Sequence, residues 1–226
     1  MGRDGPWIGG KLTERPSRIF QRHVKVSPYP EDDVPWIVEQ FGTEVVRYVS
    51  AYRPSRNGCD VAGEVCDGFL FHPFTTDKYL REVTVPALLR GRAKVGATDL
   101  AGFTTSGPAF ACVGRNEEEM ATAIAGTKNQ IAFYASTPAY RPVLDMHGWG
   151  ELQTELGRLT KAGRWAELGD VIDDDVLHAF AVVGEPAVVG RGLQARWGSV
   201  ATRITLYATY KSDPAMWAEV IEAIRA

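Results

Sequence analysis

Between Val61 and Phe74 the chain reads VAGEVCDGFLFHPF, and the spacing of its apolar residues changes within a few positions. Val61, Ala62 and Val65 recur as they would on one buried face of a helix. Asp67-Gly68 then breaks that period, and Phe69-Leu70-Phe71 runs on without polar alternation. Such runs suit parallel strands covered on both faces, which carry ligands at their carboxyl ends. That end here is His72-Pro73-Phe74-Thr75-Thr76, so His72 is the first candidate for chemistry.

The same reading extends over the rest of the chain. Val45 to Ala51 is β-branched and aromatic enough to be a strand, and YRPSRNG after it is a loop. Thr76 caps a helix from Asp77, with Tyr79, Leu80, Val83, Leu88 and Leu89 on one face and Pro86 marking a kink or boundary. GRAKVGATDLAG is a loop, and Phe103 to Val113 a strand interrupted at Gly107-Pro108 in the manner of a bulge or bend. Asn116 and Glu119 have the spacing of a capping box that opens a helix from Glu117 to Ala135. Leu152 to Leu159 and Trp165 to Ile172 read as two short helices. Asp173-Asp174-Asp175 caps a helix from Val176, after which Phe180-Ala181-Val182-Val183 leads into Gly184-Glu185-Pro186. A helix from Ala187 to Arg196, a final strand Arg203 to Tyr207 and a helix capped by Asp213 follow, the last with Met216, Trp217, Val220, Ile221 and Ile224 on one stripe. Residues 1–44 mix Gly, Pro and charge with no sustained period and form an irregular first segment; residues 45–226 form the α/β domain.

Composition narrows the class. A chain of 226 residues, 45% hydrophobic and 23% charged, can bury a sizeable core. Its formal charge of -3 and pI near 5.9 speak against a basic nucleic-acid footprint, so no nucleic-acid partner is expected. No apolar run approaches the ~20 residues that span a bilayer, and the amino terminus lacks a signal-peptide core, so the expectation is a cytoplasmic protein without a membrane partner. Cys59, Cys66 and Cys112 form no CxxC pair, and an odd count suits reduced thiols.

Candidate chemistry is sparse. No Ser-His-Asp arrangement, HExxH or GxxxxGK[ST] loop is present, and no nucleophile or acid/base pair can be named. The segment STPAYRPVLDMHGW contains Tyr140, Arg141, Asp145 and His147, but Asp and His two apart on a Gly-terminated turn favour a local hydrogen bond over general-base work. Three consecutive acids at Asp173 to Asp175 point in different directions and cap a helix sooner than they bind metal. No metal site is expected.

VAGEVCDGFLFHPFTTDKYLREVTVPALLRG, QIAFYASTPAYRPVLDMHGWGEL and DDDVLHAFAVVGEP together resemble the luciferase-like monooxygenases, in particular their deazaflavin (coenzyme F-420)-dependent oxidoreductase branch. The resemblance runs from about Tyr48 to Tyr207, and the first forty residues do not carry it. It implies a (β/α)8 barrel that binds a deazaflavin or FMN at the carboxyl ends of its strands and acts on a small organic substrate. A full barrel takes about 250 residues, so the chain reads as a partial, luciferase-like (β/α)8 TIM barrel: the carboxyl-terminal half, about four parallel strands with covering helices, left by truncation or a frameshift. In the family the loop corresponding to YRPSRNG holds the cofactor phosphate at a helix start. That implies Ser55, Arg56 and Asn57 as cofactor-binding residues, with Arg53 adding charge. His72, at a strand end on the same rim, joins them as a donor to the cofactor or a cap of the strand, and Arg141 as a residue lining the pocket mouth. A half-barrel has unpaired strand edges, which predicts a homo-oligomer. The alternative to an enzyme is a non-catalytic flavin-binding or self-associating barrel fragment.

Overall fold

The computed structural model describes Glu39, Tyr48–Val49 and residues 56–226, with side chains from residue 58 onward in the second stretch. Two compact units divide the chain, Met1–Val49 and Ser50–Ala226. In the first, β1 is the two-residue strand Tyr48–Val49, which lies inside the expected Val45 to Ala51. The rest of that strand, the loop at residues 50–55 and the expected boundary at 44/45 lie outside the described residues.

The second unit alternates helix and strand: α1 (Arg56–Val65), β2 (Gly68–Leu70), α2 (Asp77–Tyr79), α3 (Val85–Lys94), β3 (Thr104–Val113), α4 (Glu117–Ala135), α5 (Arg141–Asp145), α6 (Gly150–Lys161), α7 (Asp174–Phe180), β4 (Ala181–Gly184), α8 (Pro186–Trp197), β5 (Arg203–Tyr207) and α9 (Pro214–Arg225). β2, β4 and β5 all pair with β3, and every pairing is parallel. Helical crossovers between parallel strands are the βαβ unit, and among the described residues of this unit the sheet stays open: an α/β, partial-barrel arrangement as expected.

β3 is the central strand, and its two edges are used differently. Its even positions face β2 and β4: Thr104 N–H donates to Asp67 O (3.0 Å), Phe71 N–H to Ser106 O (2.8 Å), and Gly114 N–H to Gly184 O (3.3 Å). Its odd positions face β5, beginning with Thr202 N–H to Thr105 O (2.8 Å). Where β5 ends, the Tyr210 hydroxyl takes over that edge, accepting from Val113 N–H (2.7 Å) and donating to Ala111 O (2.9 Å).

The expected interruption at Gly107-Pro108 does not occur, and β3 is continuous. Pro108 lacks an N–H on the even edge, between the residues paired with β2 and those paired with β4, so no ladder bond is lost. Gly107 serves close packing instead: a Cβ there would come within 2.3 Å of the Phe71 ring, which stacks on Trp197 at 5.6 Å. Phe110 and Cys112, at even positions, pack with Ala123, Ile131 and Ala132 of α4 and with Phe180 of α7 in the main core. On the opposite face Ala109, Ala111 and Val113 are buried as well, so both faces of β3 are covered here, which is why its sequence lacks alternation.

α1 corrects the first expectation. Val61 and Val65, read as its buried face, are exposed, while Cys59, Ala62 and Gly63 are buried. The buried face is one of small residues because α1 crosses α3 at backbone distance: a Cβ on Gly63 would lie 2.1 Å from Leu88 O, and one on Gly91 1.9 Å from Asp60 O. Pro86 behaves as expected. A π-turn, Leu80–Thr84, joins α2 to α3, and Val85 N–H reaches back to Leu80 O, which lets the helix pass the proline that cannot donate. Trp165 to Ile172 is not a helix but two 3-10 turns, Trp165–Glu167 and Gly169–Val171.

The expected caps form. Thr76 Oγ1 accepts from Tyr79 N–H (3.1 Å), Asn116 Oδ1 from Glu119 N–H (2.9 Å) and Asp173 Oδ1 from Val176 N–H (2.8 Å). Glu119 reaches back one residue further than a capping box requires, to Arg115 N–H (2.8 Å). Asp173 starts α7 at Asp174, two residues before the expected Val176. On α9, Met216 and Val220 are buried, but Ile221 of the expected stripe is 38% exposed.

Candidate functional site

β2 delivers His72 to its carboxyl end, as expected, and the side chain is half-buried among aromatic rings. Tyr140 stacks on the imidazole (4.8 Å, 18°) and Tyr134 meets it edge-on (4.8 Å, 78°). Nδ1 accepts from Phe74 N–H (3.1 Å). The proton of the neutral ring therefore sits on Nε2 and is donated to Tyr140 Oη (3.2 Å). Burial lowers the His72 pKa to about 4, so the ring is neutral near pH 7.

The aromatic group continues beyond His72. Phe74 stacks on Phe180 at 4.4 Å, and the Tyr134 and Tyr207 hydroxyls lie 3.0 Å apart. Tyr207, the last residue of β5, packs on Phe110 at 5.0 Å. Burial, followed by the Tyr207 hydroxyl, pushes the Tyr134 phenol well above its ordinary range, so it acts as a neutral hydrogen-bonding group. Tyr134 and Tyr207 did not stand out in the sequence. Tyr134 falls next to the buried Ala135 on α4, and Tyr207 ends the last strand; those positions were the available signal.

The segment bearing Tyr140 is pinned across this group. His147 Nε2 lies 2.9 Å from Thr76 Oγ1, and Lys78 Nζ donates to Met146 O (3.2 Å). The local Asp145–His147 bond is replaced by this contact across the chain, while Trp149 stacks on the His147 ring at 4.6 Å. Burial and then Lys78 lower the His147 pKa. Arg141 turns to the outside: its guanidinium reaches Asp145 (3.4 Å), Glu151 (3.5 Å) and Thr154 Oγ1 (3.3 Å).

Of the expected cofactor residues, Arg53 and Ser55 lie outside the described residues, and Arg56 and Asn57 are described only as the first residues of α1. His72 and Arg141 are not brought together: one is engaged within the aromatic group at both nitrogens, the other with surface carboxylates. A flavin-type phosphate needs unengaged N–H groups at a helix start. α8 fits that need, since it begins at the carboxyl end of β4 and Glu185 makes no side-chain cap bond to it. The ordered aromatic wall of Tyr134, Tyr140 and Tyr207 suits a flat ring system. Among the described residues no group of three or more His, Cys, Asp or Glu could hold a metal ion, and no helix is long and apolar enough to cross a membrane.

Comparison with known proteins agrees with this architecture. A protein of Mycobacterium tuberculosis strain H37Rv, Rv1360, is 48% identical over 145 residues, which are 64% of this chain and 42% of that protein. Mb1395 of Mycobacterium bovis matches over the same extent with the same identity. The chain thus spans less than half the length of these curated relatives. Among solved structures, the coenzyme F-420-dependent tetrahydromethanopterin reductase of Methanopyrus kandleri superposes with a TM-score of 0.60 at 19% identity, covering 80% of this chain and 50% of that one. An F-420-dependent secondary alcohol dehydrogenase, solved with an F-420–acetone adduct, gives 0.53 at 14% identity, covering 80% and 49%. Both likenesses bear on the fold alone. The luciferase-like monooxygenase model matches residues 9–203, reaching further toward the amino terminus than the resemblance legible from about Tyr48. Parallel strands around β3, helical crossovers and that match over most of its length place this chain in the luciferase-like monooxygenase family.

Proposed function

We propose that this chain carries the cofactor-phosphate side of an oxidoreductase that uses deazaflavin coenzyme F-420, or FMN, on a small organic substrate. The observation that carries the reading is the set of parallel strand ends, one followed by the uncapped helix start at α8 and another carrying His72 into an aromatic group with Tyr134 and Tyr140. Membership of the luciferase-like family and the two F-420-dependent structural neighbours support it. The bound cofactor would supply the hydride or oxygen chemistry, and the protein position and electrostatics. The residues at 53–57, or the N–H groups that follow Pro186 at the start of α8, would hold the phosphate, and the tyrosine hydroxyls would orient polar groups of the ring while the rings exclude water. Absorbance titration of the full chain with F-420 and with FMN tests this: a saturable shift or quenching with either supports it, and none with both ends it.

A second reading has its own support. β5 pairs with β3 on one edge, and among the described residues of its unit no strand pairs with its other edge. Exposed backbone edges recruit further strands. A self-associating barrel fragment without turnover would show as a dimer or larger species in light scattering at tens of micromolar; a monodisperse monomer there would count against it.

A further inference from the structure

The outer edge of β5 carries backbone groups that the fold leaves unused. β5 runs parallel to β3 with Gly107 opposite Ile204 and Ala109 opposite Leu206. Because the odd positions of β3 face β5, the parallel ladder takes its bonds from Arg203, Thr205 and Tyr207, and Ile204 and Leu206 turn their N–H and C=O groups outward. Those outward groups have no partner among the described residues. We propose that this edge is the interface with a second copy of the chain, two β5 strands pairing antiparallel about a two-fold axis at Thr205, which rests on the self-associating reading and gives it a site. The occupant follows from the strand itself, Arg203-Ile204-Thr205-Leu206-Tyr207. An axis at Thr205 is the one two-fold register that pairs the whole of β5: Ile204 exchanges both backbone bonds with the partner's Leu206, and Thr205 meets its own copy in a non-hydrogen-bonded pair. Apolar Ile204 then lies against apolar Leu206 of the partner subunit on one face, both being half-exposed in the single chain, and Arg203 lies beside the partner's Tyr207 on the other. An axis at Arg203 would instead set two guanidinium groups against each other and leave most of the edge unpaired. β5 also lacks the devices that blunt an edge, since it holds no Pro or Lys and keeps its register with β3 without a bulge.

Cross-linking separates this register from any other association. Thr205→Cys and Arg203→Cys are each made in the full chain with Cys66→Ser, because Cys66 is half-exposed whereas Cys59 and Cys112 are buried. Both positions are exposed, so the variants are expected to fold. Across a non-hydrogen-bonded pair the Cα atoms at the two copies of position 205 stand about 4.5 Å apart, within disulfide reach. The two copies of position 203 are offset by the length of the strand, about 14 Å at ~3.4 Å per residue, and cannot be bridged. With oxidised glutathione as oxidant, Thr205→Cys should form the covalent dimer roughly tenfold faster than Arg203→Cys, or more. Leu206→Pro supplies a second measurement: it removes an outward N–H and leaves the ladder to β3 intact. One bond lost from each chain, at about fivefold per bond, should weaken the dimer roughly 25-fold in sedimentation equilibrium. An unchanged dimer in Leu206→Pro, or a dimeric parent in which Thr205→Cys cross-links no faster than Arg203→Cys, would overturn the β5 pairing and leave self-association standing. A parent chain that is a monodisperse monomer in light scattering would end both.

Discussion

Replacing Gly91 by alanine sets two effects of known sign against each other. In a helix interior the change from glycine to alanine stabilises by about 1 kcal/mol. At Gly91, however, the added Cβ would lie 1.9 Å from Asp60 O and 2.8 Å from Glu64 N, both backbone atoms of α1 that no rotamer change can move. Relief requires the helices to separate by more than an ångström, which loosens the contacts of buried Ala62, Ala87 and Leu88. Overpacking of this kind costs about 3 kcal/mol, at the upper end of the usual range. The net expectation is a loss of about 2 kcal/mol, or about 4–8 °C in melting temperature for a chain of this size. Gly157 of α6 is the matched control, since a Cβ there meets only Gln153 Nε2 at 3.3 Å and Ser136 O at 3.7 Å. Gly157→Ala should therefore be neutral or stabilising by up to about 1 kcal/mol. Urea unfolding of the two variants beside the parent decides the matter. Equal stability of Gly91→Ala and Gly157→Ala would refute the backbone-distance crossing of α1 and α3.

Other perturbations read different parts of the molecule. His72 has a folded pKa of about 4, below the 6.5 of an exposed histidine, so as pH falls through that window the unfolded chain takes a proton that the folded one refuses. Stability should fall by roughly 2 kcal/mol between these pH values, a figure reduced for the ring's partial exposure. In pH-dependent urea melts His72→Phe should remove that share of the slope, and an unchanged slope would place His72 in solvent. Asn116→Ala should cost about 1 kcal/mol through the lost cap, whereas Asp174→Asn, in an exposed pair with Lys128, should cost a few tenths; thermal melts showing the reverse order would contradict the cap geometry. Arg56→Glu should weaken F-420 or FMN binding about 100-fold if two charge-assisted bonds are lost, and Arg141→Glu less, since that guanidinium already serves Asp145 and Glu151; unchanged affinity in Arg56→Glu would move the phosphate to the start of α8.

What the sequence by itself determined is local. The caps at Thr76, Asn116 and Asp173, the span of α4, the strand Arg203–Tyr207 and the placement of His72 just past a strand all follow from interactions within a few residues, which a linear reading contains. Family-specific strings added the α/β barrel class, because they encode a scaffold and not one contact. Tertiary structure decided what depends on neighbours distant in the chain. The buried face of α1 was misread because size normally signals burial, yet here the crossing with α3 demands the smallest residues and leaves Val61 and Val65 outside. Gly107-Pro108 resembled a break because its compensation lies in where β2 ends and β4 begins along one edge of β3. His147 found Thr76 instead of Asp145, and Tyr134 met Tyr207 across 73 residues. Pairings at that separation leave no periodic trace in sequence, since each partner satisfies its own local pattern and only packing brings the two together.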